Sequence, residues 1–257
     1  MSRLRAKCPD CGTFTAVSLG PEYECHACGR TFRAGLVRVP RAWGEEGEAM
    51  AEAAHLPLSY PEAAVVDAGS LGEQTFAVAA ALPERPLVLG GCCCAHIGAV
   101  EGLAARHGRI AVVWLDAHGD LNTPESSMTG NAWGMPLRRI LDSGAVEPGR
   151  VALVGARNLD PFEEEFLATG AMKRDDGIDD VLDGADGVYV ALDADVAEPD
   201  ELTVFMPEPD GLTLDQIESV LRRVAAGSTV LGAGLTGLRP APGNVAPLAR
   251  LCAALGL

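Results

Sequence analysis

Two acidic motifs, far apart in the chain, carry the residue types that bind divalent metal ions. The motifs read Asp-Ala-His-Gly-Asp and Asp-Ala-Asp, and their candidate ligands are Asp116, His118, Asp120, Asp193 and Asp195. Four carboxylates that converge on one point repel one another unless cations lie between them. Carboxylate oxygens with one imidazole nitrogen suit a hard or borderline divalent ion such as Mn2+. The motifs therefore predict a metal centre.

Two buried strands must position these side chains. Apolar runs at 110–115 and 188–192 lead directly into the two motifs, and side chains alternate between the faces at the end of a strand. A single Asp after a strand is often only a helix cap or a turn former. Two acidic motifs after two separate apolar strands favour the metal centre over that simpler interpretation.

The N-terminal segment contains a second metal motif. Cys8-Pro-Asp-Cys11 and Cys25-His-Ala-Cys28 are separated by thirteen residues, and a glycine follows each pair. Four thiolates in this spacing predict a structural Zn2+ site in a zinc ribbon. A ribbon of this size depends on the metal for its stability. Its positive charge leaves a nucleic-acid contact open, while docking on the acidic body or at an oligomer interface is an equal alternative.

The composition limits the possible partners of the main body. The net charge is −16, although residues 1–43 carry seven Lys or Arg against three Asp or Glu. An acidic body argues against nucleic acid or an anionic membrane as its ligand. No apolar stretch is long enough to span a membrane. The eight cysteines, among them the run 92–94, suit metal sites and free thiols, so we expect a cytoplasmic protein. Adjacent thiols also raise the weaker alternative of a redox switch.

Strand and helix patterns alternate through the rest of the chain, after a linker with a short acidic helix at 40–60. Short apolar strands separated by helices predict a three-layer α/β/α fold with a parallel sheet. We expect a ribbon at 1–40 and one α/β domain at 41–257. The predicted strands are 64–67, 86–90, 110–116, 151–155, 188–193 and 229–235. The predicted helices are 72–82, 95–107, 132–143, 160–169, 213–226 and 244–255.

Several further blocks resemble the ureohydrolase superfamily of arginase, agmatinase and formimidoylglutamase. They are Leu89-Gly-Gly91, Leu121-Asn-Thr-Pro, Thr129-Gly-Asn131, Gly134-Met-Pro136 and Gly211-Leu-Thr213, in the family order around the two acidic motifs. The resemblance implies an arginase-like fold with a binuclear Mn2+ centre that hydrolyses a C–N bond of a guanidinium or amidine. It also implies an oligomer and a small-molecule substrate.

The resemblance also implies roles for individual residues. Asp116 and Asp193 would bridge the two metals and take part in catalysis. His118 and Asp195 would complete one site, and Asp120 would hold the other and accept a hydrogen bond from the attacking water. The substrate would contact the two asparagines of the neighbouring blocks, Asn122 and Asn131.

Three departures from the family pattern set this chain apart. Cys93 occupies the position of a metal-binding histidine, and a thiolate there favours Zn2+ or Fe2+ over Mn2+. His96, one helical turn later, is an alternative ligand or a packed histidine. Trp133 stands where arginases have a proton-shuttle histidine, and an indole does not exchange protons at neutral pH. Thr236 lies near the expected position of the acidic residue that binds the guanidinium, so true arginase activity is not expected.

Three functions remain open from the sequence. The first is a metal-dependent hydrolase of the ureohydrolase type, acting on a less cationic C–N substrate. The second is a non-catalytic metal-binding scaffold with an arginase fold. In the third, the ribbon recruits protein or nucleic acid while the body forms oligomers.

Overall fold

The N-terminal ribbon is a small antiparallel sheet. The computed structural model describes residues 5–257. Four short strands pair in chain order, namely β1 (Arg5–Ala6), β2 (Ala16–Leu19), β3 (Glu22–Cys25) and β4 (Thr31–Phe32). Tyr23 and Phe32 pair across β3 and β4 and are buried. This small apolar cluster leaves most of the ribbon's stability to other sources, such as a bound metal.

The main body is built on a parallel sheet of eight strands. They are β5 (Gly35–Val39), β6 (Glu62–Val65), β7 (Pro86–Gly90), β8 (Ile110–Leu115), β9 (Val151–Val154), β10 (Lys173–Arg174), β11 (Gly187–Asp193) and β12 (Val230–Thr236). Their order in the sheet is β10-β9-β8-β11-β12-β7-β5-β6. The central strands are buried on both faces, as expected for a sheet covered by helices.

Eight α-helices accompany the sheet in the described residues. They are α1 (Glu48–Ala53), α2 (Leu71–Ala81), α3 (Ala95–His107), α4 (Pro136–Asp142), α5 (Pro161–Ala168), α6 (Ile178–Leu182), α7 (Leu214–Gly227) and α8 (Val245–Ala254). Helices α2 to α5 pack on one face of the sheet, and α6 to α8 pack on the other. Alternate residues of β8 enter the two separate apolar clusters, as the period of a strand requires. The predicted three-layer α/β/α fold is confirmed.

Strand β5 belongs to the main sheet, although the expected boundary at residue 40 left it with the ribbon. It pairs with β7 on one side and with β6 on the other. Arg38 interrupts its apolar run, but the side chain is buried and paired with Glu62 at 2.7 Å. Its guanidinium also donates to the carbonyls of Ala54 and Leu56. Because its guanidinium has hydrogen-bond partners, Arg38 can be buried within the strand. The hydrophobic pattern alone does not predict this strand.

The helix expected at 132–143 begins later in the structure. Residues Ala132–Gly134 form one short 3-10 turn, and α4 starts at Pro136. Proline fits the first turn of a helix because its missing N–H has no partner there in any case. The earlier residues are thereby free to form a loop beside the acidic motifs. No helix within residues 5–257 has both the length and the apolar character that crossing a membrane requires.

Candidate metal centre

The two acidic motifs meet at one edge of the sheet. Strands β8 and β11 are parallel neighbours, and Leu115 pairs with Leu192. Asp116 and Asp193 therefore leave adjacent strands at the same level. Ligands of parallel sheets collect at the carboxyl ends of the strands, and the motifs lie at this position.

One group of potential ligands contains Asp116, His118 and Asp195, each offering an atom within 4.8 Å of the others. Nδ1 of His118 lies 3.1 Å from Oδ2 of Asp195 and 3.4 Å from Oδ1 of Asp116. The backbone N–H of His118 donates to Asp116 at 2.7 Å, and that of Ala117 donates to Asp195 at 3.1 Å. These bonds orient both carboxylates toward the imidazole.

A second group contains Cys93, Asp116 and Asp120, also within 4.8 Å. Cys93 lies just before α3, and its thiol donates to Oδ2 of Asp193 at 2.8 Å and of Asp116 at 3.7 Å. The two groups share Asp116. Asp116 therefore lies within reach of both ligand sets.

Asp120 provides a direct test of whether a cation fits this site. Its Oδ2 is buried and has no hydrogen-bond partner among residues 5–257, and such an atom costs free energy unless something binds it. The backbone adopts a left-handed conformation at φ 55°, stabilised by Glu163, which accepts from Leu121 N–H at 2.9 Å. The chain thus holds an unpartnered carboxyl oxygen beside the other acidic groups, and a cation there would provide the missing partner.

The pKa values of the carboxyl groups reflect this crowding. Burial, and then the charge of Asp195, raises the pKa of Asp193 to about 7. Burial, and then the charge of Asp116, raises the pKa of Asp195 to about 6. Burial also raises the pKa of Asp120 well above its usual range, followed by the charges of Asp116 and Asp193. Without a cation, these groups therefore keep their protons to a higher pH than isolated carboxyl groups do.

Glu208 supports His118 from the outer side. Its Oε1 lies 3.6 Å from Nε2 of His118 and accepts from the Asn158 amide at 2.9 Å. Burial lowers the pKa of His118, but the hydrogen bonds of Asp116 and Asp195 outweigh it and raise the pKa to about 12. A carboxylate behind a metal-binding histidine fixes the orientation of the ring.

A cavity of about 170 Å3 opens over these residues. One wall is apolar and includes Met50, Trp133, Phe205 and Met206. The rings of Trp133 and Phe205 meet edge to face with centroids 5.9 Å apart. The lining also contains Asn122, whose amide donates to Asp160 at 2.7 Å. No Lys or Arg is among the residues that line the cavity in the described part of the chain.

Asn131, Thr236 and His96 lie outside this cavity lining. Oδ1 of Asn131 accepts from the backbone N–H of Glu45 at 3.0 Å, so this side chain joins two loops. Thr236 and His96 are fully buried behind Cys93. Burial lowers the pKa of His96 to about 3, so its ring is neutral. Gly237, the residue after Thr236, faces the cavity.

Some residues that shape the site carried no usable signal in the sequence. Glu208 lies in a proline-rich loop and reaches the site only through the fold. Asp160 and Glu163 were predicted only as the start of a helix, and they do form its capping box. Glu163 additionally positions the Asp120 segment. An Asp three residues before a Glu signals a helix start, and this signal concealed the second role.

The ribbon cysteines form a separate group. The sulfur atoms of Cys8, Cys11, Cys25 and Cys28 lie within 4.8 Å of one another. The hydroxyl of Thr15, 3.3 Å from Cys25, lowers the pKa of that thiol to about 5. Four converging sulfurs with one stabilised thiolate match the donor set of a tetrahedral zinc site.

The fold and the ligand set agree with the comparison against protein families. The model of the "Arginase family" matches residues 49–255. The chain belongs to the arginase family. The resemblance inferred from the motifs is thereby confirmed, and the family match covers both acidic motifs and the Cys92–Cys94 run.

Curated relatives match part of this arginase-family chain. An arginase of Staphylococcus aureus (strain MRSA252) is 37% identical over 140 residues, which are 44% of this chain and 46% of that protein. An arginase of Bacillus caldovelox is 31% identical over 183 residues, or 60% of this chain and 61% of that protein. The chain thus spans about half the length of the first of these relatives.

Solved structures share the arginase-family fold over more of the chain. The structure of arginase from Bacillus caldovelox has a TM-score of 0.72 at 22% identity, covering 86% of this chain and 96% of that one. Formimidoylglutamase from Bacillus subtilis has a TM-score of 0.67 at 19% identity, covering 86% of both chains. At these identities the likeness establishes the fold.

Proposed function

We propose that this protein is a binuclear metal-dependent hydrolase of a non-peptide C–N bond. The observation that carries the proposal is the pair of ligand groups that share Asp116, with the unpartnered oxygen of Asp120 beside them. Asp116, His118, Asp193 and Asp195 would hold one cation, and Cys93, Asp116, Asp120 and Asp193 the other. Mn2+ is the ion of the family, and Cys93 makes Zn2+ or Fe2+ a second choice.

The chain's own residues define the chemistry. When bound, two divalent cations supply Lewis acidity, which lowers the pKa of water and stabilises negative charge at the carbon under attack. Asp120, which lines the cavity, would accept a hydrogen bond from the attacking water when the metals are bound. His118 is held by Asp195 and Glu208, so its ring keeps one orientation. The apolar wall of Trp133 and Phe205 limits the access of other water molecules.

The substrate class follows from what the cavity offers. Thr236 turns inward and contributes no carboxylate to the cavity, and Gly237 contributes no side chain there. Compared with a site that has a carboxylate near position 236, this site offers a fully cationic guanidinium one charge-assisted contact fewer. The proposed substrate is therefore a guanidino, amidino or amide compound less cationic than arginine, with a body that packs on an aromatic wall.

The test combines metal content with a substrate screen. Purified protein loaded with Mn2+, Zn2+ or Fe2+ is assayed with guanidino, formimino and amide compounds for release of urea, ammonia or amine. We expect three metal ions per chain, with Zn2+ in the ribbon, and turnover that is lost in Asp116→Asn but kept in the surface variant Asp142→Asn. Fully loaded protein that releases no product from any compound would contradict the proposal.

A non-catalytic scaffold is the second candidate function. The specific observation in its favour is Trp133, which cannot move a proton and whose ring packs closely against Gly44 and Gly47. A scaffold would bind one metal in the α/β domain, show a large fall in melting temperature on chelation and turn over no substrate. Two metals in this domain together with turnover would exclude it.

A further inference from the structure

A buried chain of polar side chains ends on the sulfur of Cys93. Its members are Tyr189, His96 and Thr236, and all three are fully buried. The Tyr189 hydroxyl lies 2.9 Å from Nδ1 of His96, and Nε2 of His96 lies 3.1 Å from Oγ1 of Thr236. Oγ1 of Thr236 lies 3.1 Å from Sγ of Cys93. Trp114 packs edge to face on the His96 ring and encloses it.

We propose that the hydrogen-bonded series of Tyr189, His96 and Thr236 donates a hydrogen bond to the Cys93 sulfur. Through this bond it makes the metal centre select a thiophilic divalent cation such as Zn2+. The inference rests on the metal centre of the proposed function and goes beyond it. It assigns a positioning role to Thr236, His96 and Tyr189, none of which faces the cavity.

The direction of the hydrogen bonds follows from the count of protons. Nδ1 of His96 is the only acceptor within reach of the Tyr189 hydroxyl among the described residues, so the phenol donates to it and the neutral ring carries its proton on Nε2. Nε2–H then donates to Oγ1 of Thr236. The hydroxyl proton of Thr236 is left for one acceptor, and the Cys93 sulfur is nearest. The Asp193 carboxylate at 3.3 Å and the Leu192 carbonyl at 3.4 Å are farther away.

This direction suits a sulfur that is bound to a metal. A metal-bound thiolate has no proton to donate, so its only hydrogen bonds are those that it accepts. A hydrogen bond to a ligating sulfur orients it and tunes its donation to the metal. A thiolate ligand selects Zn2+ over Mn2+ because it is soft. Among the described residues, Thr236 carries the only hydroxyl within hydrogen-bond distance of the Cys93 sulfur, so it is the donor available for this role.

Cobalt provides a direct readout of the sulfur ligand. Full-length protein is loaded with one equivalent of Zn2+ for the ribbon and then titrated with Co2+, and the spectrum of Cys93→Ser is subtracted from that of the wild type. Subtraction cancels the cysteines of the ribbon. We expect a sulfur-to-cobalt charge-transfer band in the near ultraviolet. A flat difference spectrum would overturn the proposal.

Variants of Thr236 then test the hydrogen bond. Thr236→Val removes the donor, so the band should move to lower energy, and the preference for Zn2+ over Mn2+ should fall about 10-fold. Thr236→Ser keeps the hydroxyl and should restore both values. Tyr189→Phe should shift the band in the same direction by less, and it replaces Thr236→Val if that variant does not fold. If the variant that lacks the donor folds and its charge-transfer band is unchanged, the proposed role of the Tyr189, His96 and Thr236 series is refuted.

These readouts are independent of turnover. A protein with the expected band and variant shifts but no hydrolysis retains this inference and refutes the proposed activity. A protein that hydrolyses a substrate without the band retains the activity and refutes the sulfur ligand.

Discussion

Arg157 donates a hydrogen bond to the main-chain carbonyl of Asp195 at 2.8 Å. Its other N–H groups reach main-chain carbonyls at distances between 2.7 and 3.3 Å, and these belong to Gly155, Val196, Glu208 and Pro209. All five N–H groups of the guanidinium are thereby used. One side chain connects the predicted metal ligand Asp195 to the loop that carries Glu208.

Replacing Arg157 with lysine should therefore weaken the contacts that hold Asp195 and the loop that carries Glu208. Lysine keeps the charge but has only three donors on a single nitrogen, so several carbonyls lose their partner. We expect a loss of about 2–4 kcal/mol in the free energy of unfolding, measured by chemical denaturation, and weaker metal binding. Arg222→Lys is the control, because Arg222 forms one exposed ion pair with Glu218 and should change stability by less than about 0.5 kcal/mol.

Replacing Asp120 with asparagine should have opposite effects on the metal-free and metal-loaded proteins. The change removes a carboxyl group whose charged form is disfavoured by burial and by the charges of Asp116 and Asp193. We expect the melting temperature of the metal-free protein to rise, by about 2–4 °C for each kcal/mol gained. The increase in melting temperature that saturating metal produces should be smaller in Asp120→Asn than in the wild type, because a ligand is lost. The exposed Asp142→Asn serves as control, and a lower melting temperature of metal-free Asp120→Asn would speak against a repulsive ligand cluster.

The stability of the metal-free protein should fall as the pH rises from about 4 to about 7. Asp193 and Asp195 have pKa values raised to about 7 and about 6 in the folded state. The folded protein therefore binds more protons than the unfolded chain in this window, and stability declines with pH. Bound metal competes with those protons, so the stability of the metal-loaded protein should rise with pH instead. Denaturant titrations of chelated wild type and Asp193→Asn measure this, and equal slopes for the two proteins would contradict it.

Alanine at position 237 should push Asp193 out of place. The backbone of Gly237 has φ +71°, and a Cβ there would lie 1.9 Å from Oδ1 of Asp193. Gly144 has φ +73° with nothing within 4 Å of such a Cβ, so Gly144→Ala carries the same backbone strain without the clash. We expect both variants to lose about 1–2 kcal/mol from strain. Only Gly237→Ala should lose metal affinity, by about 10- to 100-fold in a titration followed by calorimetry.

Much of the fold could be predicted because the apolar residues of its strands and helices recur with a clear period. The strand at Pro86–Gly90 and the helix at Ala95–His107 have the expected boundaries. Strands β5 and β10 were missed for different reasons. β5 contains Arg38, whose burial depends on Glu62 in a neighbouring strand. β10 has two exposed residues, so it carries no hydrophobic pattern.

Less of the candidate site could be predicted. The aspartates and His118 follow strands, so local sequence was enough to bring them together. The contact of Glu208 with His118 depends on the path of a long loop, and the chain from Tyr189 to Cys93 joins three separate elements. Such contacts have no local period, since only the packed sheet brings the residues into reach.

The location of β5 has a consequence for how the molecule is made. This strand lies between β6 and β7, and both are encoded after it. It therefore leaves the ribosome before either of its partners exists, directly behind the ribbon. Strands β6 and β7 can pair with β5 in the order of synthesis, but β8 is separated from β7 by β11 and β12. The two parts of the sheet therefore join only when β12, the last strand to be made, pairs with β7.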